Sequence, residues 1–189
     1  MAGIAAGDAD VVALLMRQHG EIRNLFDRVE GTAGDERRAA FRELVRLLAV
    51  HETAEEEVIR PFTRTSVPDG GKVADERLAE EREAKELLSR LDGTDADDPK
   101  FLPELRTLRL DVMRHARAEE RYEFNHVRRH ADKARLASMA TALRAAEAVA
   151  PTRPHPGTES AAKNLTLGPV TALVDRTRDA VRKAMGKDG

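Results

Sequence analysis

The pattern of apolar and charged positions in the first third of the chain predicts two amphipathic helices. Apolar side chains recur every three or four residues from Val12 to Val29, with charged residues between them, and this spacing places them on one face of an α-helix. The first helix is predicted to end near Gly31. A second helix is predicted to begin at Asp35, whose side chain suits an N-cap, and to stop at Pro61, since proline lacks the backbone N–H that a helix interior uses.

The same periodicity predicts two more helices in the middle of the chain. Residues 63–71, which contain a proline and two glycines, are typical of a loop. Leucine spacing predicts a third helix over residues 75–91. A fourth helix is predicted from Phe101, and its inward stripe runs in steps of four and three as far as His126 without a break. The middle of that stripe is polar, so we expect polar side chains to point into the protein.

The remaining third of the chain predicts one more bundle helix, a linker and an appendage. An alanine-rich fifth helix is predicted over residues 132–150, so that residues 9–150 form one domain around a single core. Residues 151–167, which include the run PTRPHPG, are predicted to be a linker. Residues 168–186 are predicted to form a C-terminal amphipathic helix that docks on the bundle or tethers it.

Composition narrows the fold class and the partners. Charged residues make up 35% of the chain and aromatic residues 3%, which favours helices over sheets and predicts an all-α protein. With a formal net charge of -2, neither nucleic acid nor a membrane surface is an expected partner. There is no cysteine, so any metal must be held by nitrogen and oxygen ligands. We find neither a signal segment nor a run of roughly 20 apolar residues, and we expect a cytoplasmic protein.

Two copies of one motif carry the predicted chemistry. His51 and Glu55, and likewise His115 and Glu119, form a His-x-x-x-Glu pair on the inward stripe of a helix, and residues four apart on a helix lie one above the other. Buried carboxylates that face each other repel, so they need a cation or a shared proton. A single copy of the motif is usually a surface pair, but two inward copies together with inward His19 favour a site for two metal ions.

The arrangement of these motifs resembles the hemerythrin-like, or HHE cation-binding, family. The similarity covers about residues 10–130 and consists of a histidine on the first helix, His-x-x-x-Glu on the second and His-x-x-x-Glu-Glu on the fourth. The resemblance implies an antiparallel up-down four-helix bundle, here with an additional helix and a C-terminal helical appendage. It also implies two non-haem iron ions and a link to O2, whereas the spacing alone leaves manganese and zinc open.

The resemblance also implies a role for each motif residue. Carried over position by position, His19 and His51 would bind one ion and His115 the other, while Glu55 and Glu119 would bridge the two. These assignments follow from the family pattern.

The third helix departs from the family pattern. Hemerythrins place one or two histidines there, but this chain has no histidine between His51 and His115. Its Glu80-Glu81 run resembles the family's Glu-His segment, with Glu81 in place of the histidine. We therefore predict Glu81 as the sixth ligand, with Glu80 or a water molecule as alternatives; in a bland interpretation these glutamates form a solvated face.

Four further side chains are of types that can take part in a metal site. Tyr122 lies one turn beyond Glu119 on the predicted stripe, so its hydroxyl is predicted either to hydrogen-bond that carboxylate as an outer partner of the metal centre or to pack in the core. His126 and His130 lie roughly 15 Å or more along the helix from His115. These two and His155 are predicted to be non-ligands.

The predicted ligand set bears on function. It has fewer histidines than a hemerythrin, which leaves more metal positions open, and an anionic ligand favours the ferric state. These features favour chemistry with O2, H2O2 or NO, as in defence against oxidative stress, and include weak catalase- or peroxidase-like activity. The alternatives are an iron- or oxygen-responsive binding or sensor module without turnover, and a purely structural metal site.

Overall fold

The structure of the chain is a computed structural model that describes residues 10–150 and 168–186, with side chains of the last helix from Arg176 onward. The predicted linker at 151–167 lies outside the described residues. Within the described ranges the chain is helical, without strands. None of the described helices has the length and apolar content needed to cross a membrane.

Four long helices form the bundle that surrounds the site. They are α1 (Val11–Gly31), α2 (Gly34–Ser66), α3 (Gly70–Asp92) and α4 (Phe101–Ala118). The chain continues through a π-helical turn (Glu119–Glu123) into α5 (Phe124–His130), then α6 (Lys133–Val149) and α7 (Gly168–Ala184). Helices α1 to α4 pack in chain order, and α1 also packs against α4. Helix α6 packs on α1 and α2, and α7 packs on α6 and α2. The predicted all-α antiparallel bundle with two additional helices is confirmed.

The apolar core is divided into two clusters with a polar layer between them. The α3-side cluster contains residues of α1, α2, α3 and α4, including Ile22, Leu44, Leu88 and Leu105. The α6-side cluster contains residues of α1, α2, α5, α6 and α7, including Leu15, Ile59, Phe124, Leu143 and Val181. Each long helix that enters both clusters carries its polar inward residues where it passes from one to the other. Packing on both sides therefore keeps bulk water away from that layer.

The prediction that the second helix stops at Pro61 is wrong. Helix α2 continues through Pro61 to Ser66, and much of the predicted loop at 63–71 is therefore helical. Phe62 joins the α6-side cluster, and the buried hydroxyl of Thr63 donates a hydrogen bond to Glu123 Oε1 at 2.5 Å. These contacts offset the backbone hydrogen bond that proline cannot make.

The turn between α2 and α3 is tight enough to require a glycine. A Cβ atom added to Gly70 would lie 1.8 Å from the carbonyl oxygen of Thr63, so only glycine fits where the start of α3 crosses the end of α2. Helix α3 accordingly begins at Gly70, five residues before the predicted start.

The fourth helix does not keep one uninterrupted stripe. The π-helical turn Glu119–Glu123 accommodates one extra residue, because a π-turn closes with a wider ring than an α-turn. After Glu119, the inward positions are Glu123 and Phe124, each 1% exposed, and no longer Tyr122. The predicted continuation of the stripe beyond Glu119 is therefore wrong by one residue.

Candidate metal centre

The structure brings the six predicted ligand residues together in the polar layer. One group, in which the candidate ligand atoms lie within 4.8 Å of one another, consists of His19, His51, Glu55 and Glu119. The second consists of Glu55, Glu81, His115 and Glu119. We call these groups the His19 position and the His115 position. They share Glu55 and Glu119, which is the arrangement that two bridging carboxylates would have.

Carboxylates outside the two positions hold two of the histidine rings. The Nδ1 atom of His19 lies 2.9 Å from Glu120 Oε1, and that of His115 lies 2.8 Å from Glu80 Oε2. A carboxylate that accepts from Nδ1 fixes the proton there and leaves Nε2 with a free lone pair. Both Nε2 atoms consequently face the interior, where they lie 3.4 and 3.1 Å from oxygens of Glu119.

The ring of His51 is held by an amide instead of a carboxylate. Its Nδ1 lies 2.8 Å from Gln18 Oε1, while its Nε2 lies 3.7 Å from Glu55 Oε1. The amide nitrogen of Gln18 donates in turn to Glu147 on α6. A continuous series of hydrogen-bond contacts therefore links the His19 position to helix α6.

Several buried donor and acceptor atoms of the layer have no hydrogen-bond partner among the described residues. They are Nε2 of His19 and His115, Oε1 of Glu55, and Oε2 of Glu81 and Glu119. An unpaired buried polar atom is costly, and most such atoms in proteins are satisfied. Imidazole nitrogens together with carboxylate oxygens are ligands that iron, manganese and zinc accept. The residues present thus fit a metal centre.

The two shared carboxylates differ in protonation. Burial, together with the charge of Glu119, raises the pKa of Glu55 well above its usual range. Burial acts in the same direction on Glu119, but His115 and Arg60 outweigh it and hold the pKa of Glu119 well below its usual range. Without metal, a proton on Glu55 therefore relieves the repulsion between the two carboxylates.

The histidines differ in the same way. Burial, reinforced by the nearby His19 ring, lowers the pKa of His51 well below its usual value. Burial also opposes protonation of His115, but the adjacent Glu119 carboxylate outweighs it and raises the pKa of His115 well above the usual value. His51 is thus already neutral, as a metal ligand must be, whereas His115 must release a proton.

A buried pair of opposite charges flanks the layer between α2 and α3. Lys85 Nζ contacts Glu56 Oε1. Burial raises the pKa of Glu56 to about 8, although the positive charge of Lys85 opposes this shift. Burial raises the pKa of Glu52, one turn away, to about 7, against the opposing charge of Lys85. This pair holds the third helix against the second beside the site.

Arg60 is the largest addition that the structure makes to the predicted site. It is 1% exposed, and its guanidinium donates to carboxylates of Glu55, Glu81, Glu119 and Glu123. The sequence carried one signal for it, a lone charge inside the apolar run Val58 to Phe62. Glu123 had no such signal, because the π-turn alone moves it inward.

The predicted role of Tyr122 is wrong. Its side chain is 66% exposed, whereas Glu119 is fully buried, so Tyr122 neither packs in the core nor reaches that carboxylate. The cause is the π-turn, which rotates Tyr122 to the surface. His126 and His130 stack on each other outside both positions, with ring centroids 6.0 Å apart, and His155 lies outside the described residues.

A small cavity adjoins the polar layer on its α3 side. It measures about 20 Å³ and lies against His51 and His115, with apolar walls that include Leu48, Ala84 and Val112. A space of this size holds on the order of one water molecule. Only a very small molecule can therefore reach the layer from this side without rearrangement of the bundle.

Comparisons with known proteins agree with the resemblance predicted from the motifs. The family model named hemerythrin HHE cation binding domain matches residues 10–127. The chain belongs to the hemerythrin family. Membership makes it a helical protein that binds metal cations, and the His and Glu layer described above is the cluster able to hold them.

Individual relatives are distant. An uncharacterized hemerythrin-like protein from Schizosaccharomyces pombe is 26% identical over 138 residues, which are 72% of this chain and 68% of that protein. A DNA nickase from Nostoc is 26% identical over 141 residues, which are 74% of this chain but 40% of the nickase. A crystal structure of a hemerythrin HHE cation binding domain-containing protein from Mycobacterium kansasii matches with a TM-score of 0.65 and 22% identity, covering 88% of this chain and 98% of that one. At this identity the likeness shows the fold alone.

Proposed function

We propose that this hemerythrin-family protein holds two non-haem iron ions and reacts with a small oxygen or nitrogen species, namely O2, H2O2 or NO. The observation that carries the proposal is the pair of ligand groups that share Glu55 and Glu119. Two cations placed in these groups would neutralise carboxylates that otherwise repel in a dry layer.

The chain's own residues would set the chemistry of the centre. Bound iron would supply one-electron redox chemistry and open coordination positions. Glu81 would supply an anionic oxygen to the His115 position, which favours the ferric state because it offsets the extra positive charge. Glu80, Gln18 and Glu120 would hold the histidine rings with Nε2 pointing inward.

The volume of the small cavity agrees with a substrate of two to four atoms. Its apolar walls and volume of about 20 Å³ suit O2, NO or H2O2 and leave no room for an organic substrate. The apolar clusters on both sides also exclude bulk water from the reacting groups.

Metal analysis and reactivity of purified protein test the proposal. We expect about two iron ions per chain, an optical spectrum that changes on exposure to at least one of the three species, and consumption of that species. His51→Ala and His115→Ala should each lower the iron content, whereas His130→Ala, at an exposed histidine outside both positions, should not.

Four results would contradict the proposal in whole or in part. The metal centre itself would be rejected if the protein bound no iron either as purified or after reconstitution with iron. Unchanged iron content in both ligand variants would reject it as well. Iron-loaded protein whose spectrum responds to one species without consuming it would instead support the sensor function. A spectrum that responds to none of the three would leave only a structural metal site.

A second candidate function rests on a basic groove beside α4. The groove measures about 720 Å³, and its lining includes Arg23, Arg114, Arg117, Arg121 and Tyr122. Arginines with an exposed aromatic ring suit single-stranded nucleic acid, whose phosphates pair with guanidinium groups and whose bases stack on the ring. The net charge of the chain predicted no such partner, but this local charge and the similarity to a DNA nickase support one.

Binding of a fluorescent single-stranded oligonucleotide tests this second function. A double variant, Arg117→Glu with Arg121→Glu, should weaken binding at least about tenfold and reduce its salt dependence. The double variant Arg42→Glu with Arg46→Glu makes the same change of charge at exposed positions of α2. Equal weakening by both double variants would point to nonspecific attraction and would remove the groove as a site.

A further inference from the structure

Arg60 divides the oxygens of the shared carboxylates into two sets. Its Nη2 donates to Glu55 Oε2 at 3.3 Å and to Glu119 Oε1. The other oxygens face the histidines of the His19 position: Glu55 Oε1 lies 3.7 Å from His51 Nε2, and Glu119 Oε2 lies 3.4 Å from His19 Nε2. These two oxygens have no hydrogen-bond partner among the described residues.

The third carboxylate of the layer, that of Glu81, directs one oxygen to both Arg60 and His115. Glu81 Oε1 accepts from Arg60 Nε at 3.0 Å and from Nη2 at 2.6 Å, and the same oxygen lies 3.8 Å from His115 Nε2. Every carboxylate of the His115 position therefore already shares an oxygen with the guanidinium. The oxygens near His115 Nε2, Oε1 of Glu81 and of Glu119, are ones that accept from Arg60. The oxygens near the histidines of the His19 position are ones that Arg60 does not contact.

The physical consequence follows from the permanence of the arginine charge. A guanidinium keeps its proton at any pH that proteins tolerate. A metal ion entering the His115 position meets carboxylate oxygens beside His115 that already accept from a fixed positive charge, in a layer where water screens little. An ion entering the His19 position can use oxygens on the far side of the same carboxylates.

Glu123 gives the guanidinium an anionic partner of its own. It belongs to neither ligand group, accepts from Arg60 Nη1 at 2.7 Å, and is held by Thr63. Arg60 therefore has an anionic partner that is not a predicted metal ligand. This partner allows the guanidinium to stay in the layer when metal is present. The positions of Glu123 and Thr63 depend on features outside the motifs: the π-turn places Glu123, and the extension of α2 past Pro61 places Thr63.

We propose that Arg60 is the built-in counter-ion of the metal-free carboxylates and that it makes the two metal positions unequal. The His19 position fills first and more tightly, and the His115 position fills second and more weakly. The inference rests on the two-metal centre proposed above, and it assigns Arg60 a positioning role and no direct part in the reaction.

Titration of metal-free protein with Co²⁺ alone tests this inference, with calorimetry and the visible absorption of cobalt as readouts. We expect two binding phases whose affinities differ at least about tenfold, the size of a charge-assisted interaction. Arg60→Met should bring the two affinities closer by about the same factor and lower the Tm of the metal-free protein. Arg60→Lys keeps the charge and should keep the two phases separate.

Arg64→Met is the matched control, because Arg64 lies one turn further along α2 and pairs with Asp75 at the surface. It should change neither the Tm nor the titration. His115→Ala should remove the second phase and leave the first. Loss of the first phase in that variant would overturn the proposed order of filling.

The remaining outcomes separate this inference from the proposed function. Two equal phases in the wild-type protein, or an unchanged affinity ratio in Arg60→Met, would overturn the inference; if Arg60→Met does not fold, the wild-type and Arg60→Lys titrations decide. Absence of Co²⁺ binding in the wild-type protein would refute the metal centre. In that case an unchanged metal-free Tm in Arg60→Met would also remove the counter-ion role.

Discussion

At the residue scale, the polar layer depends as much on the groups behind the ligands as on the ligands themselves. Each histidine is held through Nδ1 by a residue outside the set of six predicted ligands: Glu120, Gln18 or Glu80. Each of these contacts orients its histidine ring so that Nε2 points inward. The repulsion between buried carboxylates was predicted to require a cation or a shared proton. In the metal-free chain, Arg60 and a proton on Glu55 offset it.

Replacement of Gln18 tests the support of one histidine. Gln18→Leu removes the acceptor that fixes His51 Nδ1, and we expect metal affinity to fall about 10- to 100-fold, as is usual for partners of ligand histidines. Competition with a chelator of known affinity measures this change. Asn24→Leu, an exposed position on the same helix, should leave the affinity unaltered, and an equal loss in both variants would assign the effect to α1 as a whole.

Glu81 and Glu80 offer a matched pair of substitutions. Glu81→Gln keeps an oxygen for Arg60 but removes an anion from the His115 position, so the reduction potential of the iron should rise by about 60 mV or more, a tenfold change in preference for the reduced state. Glu80→Gln keeps the acceptor for His115 Nδ1 outside that position and should shift the potential less. Spectroelectrochemical titration compares them; the opposite ranking would make Glu80 the ligand.

At the scale of elements, two helices depart from the regular pattern at the places where they build the site. The π-turn after Glu119 moves Glu123 inward, and the passage of α2 through Pro61 brings Thr63 to the same carboxylate. Both features cost local helix stability. Their contacts converge on the guanidinium of Arg60, which indicates that the irregular turns position the counter-ion.

Deletion of one residue tests the π-turn. Removal of Tyr122 should turn Glu119–Glu123 into an ordinary α-helical turn while Phe124 and Val127 stay in the core, because the π-turn holds one extra residue. We expect a folded protein that retains metal binding. Removal of Arg117, an exposed residue in the regular part of α4, should instead rotate Glu119 by about 100° away from His115 and abolish binding.

Circular dichroism melting and metal analysis distinguish the two deletions. Comparable loss of structure in both would mean that the extra residue of the π-turn is required for folding. Retained metal in the Arg117 deletion would mean that the phase of α4 does not fix the site.

At the scale of the whole molecule, the site lies where two apolar clusters meet. The α6-side cluster is completed by α7, whose Val181 is 7% exposed and whose Arg178 pairs with Glu57 of α2 at 3.2 Å. The C-terminal helix is therefore part of the packing that covers one side of the polar layer. Its docking favours the first of the two roles that the sequence left open for it.

Disruption of that docking should lower global stability. Val181→Asp places a charge in the α6-side cluster, and we expect the free energy of unfolding to fall by about 2 kcal/mol or more, the contribution of a buried valine. Chemical denaturation of the metal-free protein measures it. Arg182→Ala at the neighbouring exposed position should remain within about 0.5 kcal/mol of wild type, and a similar loss there would deny a specific contact at Val181.

The local pattern of the sequence was enough to place most of the helices, to identify the family and to predict a metal centre. Apolar spacing fixed α1 and α6 closely, because burial of one helical face is a local property of the pattern. The two His-x-x-x-Glu motifs fixed which polar residues face inward, because residues four apart share a face wherever the helix packs. The assignment of individual ligands stays a prediction that metal analysis can test.

Features that depend on contacts between distant segments became visible in the three-dimensional structure alone. Whether Pro61 ends a helix depends on what Phe62 and Thr63 gain by packing, and the sequence of α2 does not contain those partners. Whether the stripe of α4 continues to Tyr122 or shifts to Glu123 depends on one extra residue in a turn that periodicity does not reveal. The position of Arg60 follows from both, because a buried charge is tolerated only where distant carboxylates converge on it.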